Sequence, residues 1–428
     1  TVTSDGALKL NGSNTFRFST DLKNNTADKF TFGELAAGSS TEKQYITVGY
    51  DKSFSGSDLS AITGTAVVLS FGELNGYDLS SFEGKASTMD SPLKRFTVTP
   101  TVTADGNDVK ITQLDFGGSP DGNDASETSM TSADTHLALR NIWRVEGNNL
   151  MKRMGDLRSD PEAAEGGVWA RYYRGELSAD SAYDRNFSQD YTAFQGGFDK
   201  VQDYKGGKLY TGIAINRIDS NAAYFAGSGD LSSTGVGVYA SWLGSKGHYL
   251  DMIFKIGTMD NDFTVYDTRS NKITGDFNNT GISLSAEYGR KNALEHGWYF
   301  EPQAQFTLGY LGGDDYTTSN GIDIDQSGIK SAVGRIGFNI GREIGSKGIV
   351  YAKANLLHEF GGGYNVTMND GSDSLKVSDT FNDTWFEYGV GAAFKTSDNS
   401  HIYLDVERSA GSDFTKNWQW NVGARWTF

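Results

Sequence analysis

From residue 165 to the C-terminus the chain alternates apolar and polar residues with a period of two, the pattern of strands with two unlike faces. Leu250, Met252, Phe254 and Ile256 alternate with Asp251, Ile253, Lys255 and Gly257. Ile282, Leu284, Ala286 and Tyr288 alternate with Ser283, Ser285, Glu287 and Gly289. Trp418, Trp420, Val422, Ala424, Trp426 and Phe428 alternate with Gln419, Asn421, Gly423, Arg425 and Thr427. Twelve strands can be placed, near Trp169, Phe194, Ile213, Val238, Phe254, Leu284, Phe306, Phe338, Ala354, Val390, Leu404 and Val422. The first of them alternates poorly. An even count closes an antiparallel barrel with both ends on one side.

A soluble sandwich alternates too, with its apolar face inward. Three details favour lipid on the apolar side. The apolar faces tend to begin or end on Trp, Tyr or Phe, as aromatic girdles do. The other face carries charges and glycines, which suits a crowded polar lumen. The alternating segments recur at roughly the 9–11 residues that a tilted strand needs to cross a bilayer.

Ahead of these strands the pattern changes. Thr135 to Arg158 reads as the one convincing helix, with Ser132 or Asp134 as cap, Pro161 as terminator and a short stripe of Leu139, Ile142 and Val145. Gly117 to Ser132 reads as a Gly/Ser/Asp/Thr linker. The first 116 residues hold short strands separated by polar turns, such as Thr15–Phe18, Tyr45–Val48 and Ala66–Leu69. That spacing fits a sandwich or a β-solenoid, and the low apolar content favours the end of a solenoid. The expected units are 1–116, a linker and helix over 117–160, and a barrel over 161–428.

Composition sharpens this picture. The 428 residues carry a net charge of −16, so the basic face that nucleic-acid binding needs is not expected. Mean hydropathy is −0.46 and no apolar run approaches the length of a membrane-spanning helix. There is no cysteine, which excludes disulfides, thiolate metal sites and cysteine nucleophiles. All eight Trp lie at or after Trp143, and aromatic residues are expected mostly in the girdles. Thr1–Asp5 lacks the features of a signal peptide, so the chain is read as mature or excised from something longer.

Alternation also assigns charges to the lumen. Asp251, Glu287, Glu301, Glu359, Glu387, Asp405 and Glu407 outnumber Lys255, Arg335, Lys353 and Arg425. The helix has the opposite sign, through Arg140, Arg144, Lys152, Arg153 and Arg158. In a confined channel such complementarity is stronger than on an open surface. The expected helix–lumen contacts are Arg144, Lys152, Arg153 and Arg158 with Asp251, Arg335, Glu359, Glu387, Asp405 and Arg425. The alternative is that these are solvated pore charges without particular partners. The predicted fold class is therefore all-β: a 12-stranded antiparallel transmembrane β-barrel with a pore-inserted α-helix, preceded by the C-terminal part of a parallel β-helix.

The order of solenoid end, linker, helix and barrel resembles the C-terminal part of monomeric autotransporters, or type Va secretion proteins. Asn148–Arg158, with Val168–Arg171, resembles the family's plug helix and first strand, and Phe300–Ala304 its Glu-Pro-Gln strand. Residues 14–50 are similar to a pertactin-type passenger end. The resemblance implies outer-membrane insertion, export of the chain's own passenger to the cell surface, help from the barrel-assembly machinery, and a helix left in the pore. Trp426 and Phe428 resemble the terminal signal for that machinery. Implied partners are outer-membrane lipid and lipopolysaccharide, the assembly machinery and the passenger, with a monomeric barrel. The alternative is a porin or outer-membrane enzyme without a secretion role.

Some members of the family cut their own linker. Asn148-Asn149 resembles their Asn-Asn junction, and Glu287 and Glu301 resemble their acidic pair. The resemblance implies that an Asn side-chain amide attacks its own carbonyl and closes a succinimide. Here Glu146-Gly147 precedes the pair, where cleaving members have an acidic then an apolar residue. The other reading is two amides that merely hydrogen-bond lumen groups. No other catalytic constellation is found: the five His are dispersed and no Gly-x-Ser-x-Gly elbow is present. Asn/Asp/Gly clusters such as Asn369–Asp373 read as loop turns rather than Ca²⁺ sites, and no cofactor is expected.

Overall fold

The computed structural model describes residues 1–54, 56, 58–118, 124–159, 166–180, 183, 185–345 and 348–428, with the side chains of the helix described as far as 147. Strands β1 (Val2–Leu8), β3 (Phe30–Leu35) and β5 (Ile62–Glu73) form one parallel column. A second joins β2 (Thr15–Asp21), β4 (Gln44–Asp51) and β6 (Phe82–Gly84). Parallel neighbours need a crossover between them, as the coils of a solenoid provide and hairpin-linked strands do not. An antiparallel meander of β7 (Ser87–Asp90), β8 (Arg95–Asp105) and β9 (Asp108–Gly117) closes the stack against β5. Its core includes Phe18, Leu35, Val48, Leu69, Val98 and Ile111. Phe32 stacks between Phe30 and Phe71, with ring centroids 6.4 and 5.9 Å away.

Helix α1 runs from Glu127 to Ser159. It therefore starts eight residues before position 135, and the segment read as linker is helical from 127. The cause is tertiary. Asp90 of β7 accepts the Glu127 N–H at 3.1 Å, and Ser126 accepts the Ser129 N–H at 3.1 Å. Ser132, read as a cap, donates to the Thr128 carbonyl inside the helix instead. Glu127 also bonds Arg95 of β8 and Arg185 of the barrel, at 2.5 and 2.7 Å, and so ties both bodies to the helix start.

The barrel strands are β10 (Gly167–Asp180), β11 (Asn186–Tyr204), β12 (Gly207–Tyr224), β13 (Gly227–Gly244), β14 (His248–Tyr266), β15 (Lys272–Arg290) and β16 (Trp298–Leu311). After a short pair, β17 (Asp315–Thr317) and β18 (Asp323–Gln326), come β19 (Ile329–Ile344) and β20 (Gly348–Glu359). A second short pair, β21 (Tyr364–Asn369) and β22 (Ser374–Asp379), precedes β23 (Thr384–Ser397), β24 (Ser400–Ala410) and β25 (Phe414–Thr427). Each of the twelve long strands pairs antiparallel with its neighbours, and β10 closes on β25, so the twelve expected strands are present. The four short ones form a separate sheet at one end of the barrel.

The outer face of β11–β15 divides into two bands. On β14, outward Leu250, Met252, Phe254 and Ile256 give way to Thr258, Asp260, Asp262 and Thr264. On β15, outward Lys272, Thr274, Asp276, Asn278 and Thr280 give way to Ile282, Leu284, Ala286 and Tyr288. The apolar band thus lies toward the short turns, and these 18- and 19-residue strands continue past it as a polar wall on the side of the long hairpins. Trp298 and Trp426 face outward, as expected. Many other aromatics do not. Tyr173, Tyr191, Tyr210, Tyr249 and Tyr403 are buried in the lumen, which corrects the expectation that girdles hold most of them. This also explains the poor alternation of β10: Trp169 and Tyr173 face inward while Val168 and Tyr172 face out, so both faces are apolar.

Candidate functional site: the helix in the barrel lumen

Both ends of the barrel lie at the short-turn side, whereas α1 begins among the long hairpins, beside the first block. At about 1.5 Å per residue its 33 residues span about 50 Å, more than the roughly 30 Å of a hydrocarbon core. Residues 127–143 are all buried.

On the hairpin side apolar side chains of the helix and wall pack together. Leu137, Leu139, Ile142 and Trp143 share one core with Phe187, Tyr191, Phe263 and Phe277 of the wall. The two short hairpins add Ile322, Ile324, Val366, Met368 and Phe381 from above. Charges here rest on rings. The Arg140 guanidinium lies 3.5 Å from the Phe381 centroid, and Arg144 lies 4.7 Å from Trp385. Arg144 also meets Glu359 at 3.5 Å, the expected helix-to-wall pair. Glu359 is held in turn by Ser331, at 2.6 Å, and by the N–H groups of Ala332 and Gly361.

Toward the turns the wall carries charge networks. Arg425 grips Asp199 with two bonds of 2.6 and 2.8 Å, and Tyr239 donates to the same carboxylate at 2.8 Å. Trp169 extends the chain by donating to Tyr239 at 3.0 Å. Lys353, midway along its strand, pairs with Asp405 and Glu407 at 3.2 and 3.1 Å; nearer the hairpins, beside Trp385, Lys416 pairs with Glu407 and Glu387. Arg335 pairs with Glu287, while the Tyr249 hydroxyl meets Glu287 and Glu301 at 3.0 and 3.4 Å. Asp251 accepts from Ser241. Lumen glycines make room for these tyrosines: a β-carbon at Gly289 would enter the Tyr249 ring, and one at Gly423 the Tyr403 ring.

Every charge assigned to the lumen by alternation lies on that face. The contacts differ from expectation in one respect. Arg335, Asp405 and Arg425 bond charged partners on the wall, each across one intervening strand, rather than the helix. Glu287 and Glu301 come together through Tyr249. The side chains of Asn148, Asn149, Lys152, Arg153 and Arg158 lie outside the described residues.

Four contributors were not foreseen. Glu146 of the helix, an acid in a basic segment, meets Lys255 and accepts from Asn216 and Ser233 at 2.5 and 2.7 Å. Trp143, in sequence only the first of the eight tryptophans, lies against Gly281 and Gly309 of the wall. Asp199 could have been found by extending the inward series Gln195, Gly197. Lys416 could not, because the register between β10 and β25 shifts near Glu176 and turns Lys416 inward against simple alternation.

A closed twelve-stranded barrel with an apolar outer band and a helix along its axis is an outer-membrane β-barrel whose lumen is occupied by a helix. Residues 168–407 match the model of the autotransporter beta-domain, and the chain belongs to that family. It is 30% identical over 292 residues to the pertactin autotransporter of Bordetella parapertussis, covering 67% of this chain and 31% of that protein. It is 28% identical over 309 residues to the BrkA autotransporter of Bordetella pertussis, covering 71% and 30%. The chain thus spans less than a third of the length of these relatives. Its fold matches the crystal structure of the BrkA beta domain with a TM-score of 0.51 at 25% identity, over 62% of this chain and all of that one. The barrel is accordingly an outer-membrane translocator domain.

Proposed function

We propose that this barrel serves export of its own N-terminal chain to the cell surface, after which α1 remains as the plug. One observation carries the reading: the chain passes from the first block, on the hairpin side, through the lumen along α1 toward the side where β10 begins. The first block then serves as the C-terminal end of a β-helix passenger. Its partners are lipid and lipopolysaccharide around the outer band, the passenger itself, and an assembly machinery that reads Trp426 and Phe428. Trp426 is exposed on the outer face of β25, and Phe428 is exposed just beyond its end. The barrel works as a monomer in this account.

Protease added to intact cells should remove the first block and leave the barrel intact. A first block protected until the cells are lysed contradicts export. Linker cleavage is a separate, finer expectation. If Asn148 closes a succinimide, the purified chain runs as two fragments and Asn148→Ala as one. A wild-type chain that stays a single band after folding rules it out.

A further inference from the structure

Opposite charge alone does not tell a basic helix where to stop in an acidic pore, since carboxylates are spread over the wall at many levels. The structure contains a device of the opposite polarity. Among the wall cations, Arg335, Lys353, Lys416 and Arg425 pair with wall carboxylates, whereas Lys255 pairs with Glu146 of the helix. Three successive strands each supply one donor to that single carboxylate: Asn216 of β12, Ser233 of β13 and Lys255 of β14. Both members of the ion pair are buried, Glu146 to 1% exposure. Gly235 admits the carboxylate, because a β-carbon there would lie 3.1 Å from Oε1.

One turn earlier on the helix, Trp143 occupies a slot on the neighbouring wall. Its ring lies over Gly281 of β15 and Gly309 of β16, which belong to paired strands. A β-carbon at Gly281 would stand 2.7 Å from the indole Nε1, and one at Gly309 would enter the ring. The wall is thus hollowed at one level to receive an indole.

We propose that Trp143 and Glu146 form a depth stop, which fixes the axial position and rotation of α1 in the barrel; the proposal rests on the reading of α1 as a plug left by export. A slip of one turn moves each side chain by about 5.4 Å. Glu146 and Lys255 are then both buried without a partner, which is strongly unfavourable. A slip toward the turns also carries Glu146 in the direction of Asp251, and a slip the other way carries it toward Ile218 and Met259, so wrong depths are opposed as well as the right one favoured. Trp143 leaves its glycines and meets side-chain atoms. These two residues are positioning residues, and they set the depth at which Asn148-Asn149 sits.

The absence of cysteine makes depth measurable in the full-length folded protein. Asn141 of the helix lies 3.5 Å from Gln189 of β11, between the inward positions 187 and 191. Cysteine at 141, paired in separate samples with cysteine at 187, 189 or 191, reads the register by disulfide yield. In the wild-type background 141–189 should dominate. In Glu146→Lys it should fall about tenfold relative to its neighbours, since a buried charge pair has been broken. The swap Glu146→Lys with Lys255→Glu should restore it, which a purely structural role for Glu146 would not achieve. Heat-modifiable gel migration confines the reading to folded barrels. If Glu146→Lys does not fold, Glu146→Gln and Trp143→Ala should each spread the crosslinks. Unchanged dominance of 141–189 in Glu146→Gln and Trp143→Ala overturns the depth stop. Protease shaving of the same cells separates the two ideas: a wild-type crosslink pattern without surface exposure of the first block contradicts export and leaves the stop standing.

Discussion

The two halves of the lumen are built on different physics. On the hairpin side the helix is gripped by aliphatic and aromatic side chains from the wall and from two hairpins that fold over it. On the turn side the wall is cross-linked to itself by buried ion pairs, such as Arg425–Asp199 and Lys353–Glu407. The first half makes a largely apolar seal whose strength scales with apolar area removed from water. The second half holds strands in place through paired charges, which contribute little net stability but cost much when one partner is lost. The plug is therefore gripped mainly by packing, with Arg144–Glu359 and Glu146–Lys255 as its charged contacts to the wall, while the barrel is braced by charge.

Substitutions can break this contrast, and the largest effect belongs to the apolar half. Ile142→Asp puts a carboxylate into an apolar site and removes packing, so it should weaken helix seating by more than about 4 kcal/mol. The expected readout is frequent opening in planar-bilayer recordings, with the barrel still folded on gels. Next comes the charged half. Asp199→Asn leaves Arg425 buried opposite a neutral amide, across the seam where β25 and β11 flank β10. A loss of about 3 kcal/mol is expected in barrel stability, read as a lower midpoint for heat-induced gel mobility. Helix seating should be almost unchanged. If Asp199→Asn opened the pore as readily as Ile142→Asp, the division between the halves would be wrong.

The smallest effect lies at the joint with the first block, where Lys94 meets Asp373 of the β21–β22 turn at 2.5 Å. The hydrogen bond from Lys94 holds the Asp373 carboxyl below its usual range. A depressed carboxylate stabilises docking at pH above its ordinary value, and that contribution is lost as pH falls through the lowered one. Both side chains are partly exposed, so Lys94→Ala should cost less than about 1 kcal/mol. Hydrogen exchange of the β21–β22 turn at neutral and acidic pH should show wild type approaching Lys94→Ala only in acid.

The twelve strands could be read from the sequence because lipid outside and a tight lumen inside force strict alternation. Alternation failed where its premise failed. On β10 both faces are apolar, because Trp169 and Tyr173 serve lumen networks. On β25 the register shift moves Lys416 inward. The start of α1 was hidden for another reason: beside the local Ser126, its first N–H is capped by Asp90, more than thirty residues away in sequence. The apolar half of the lumen was hidden too, since it is completed by hairpin residues that alternation assigns to loops. Charge sign placed the helix in the pore, but the stop at Glu146 depends on a residue that contradicts that sign.

The central claim is that α1 fills the barrel as a plug seated in its lumen. Single-channel recording in planar bilayers tests it most directly, comparing the full chain with one lacking residues 131–160. The account predicts an intact chain that stays closed and a deleted chain that forms wide, steady pores. Wide pores of equal conductance in both would contradict it.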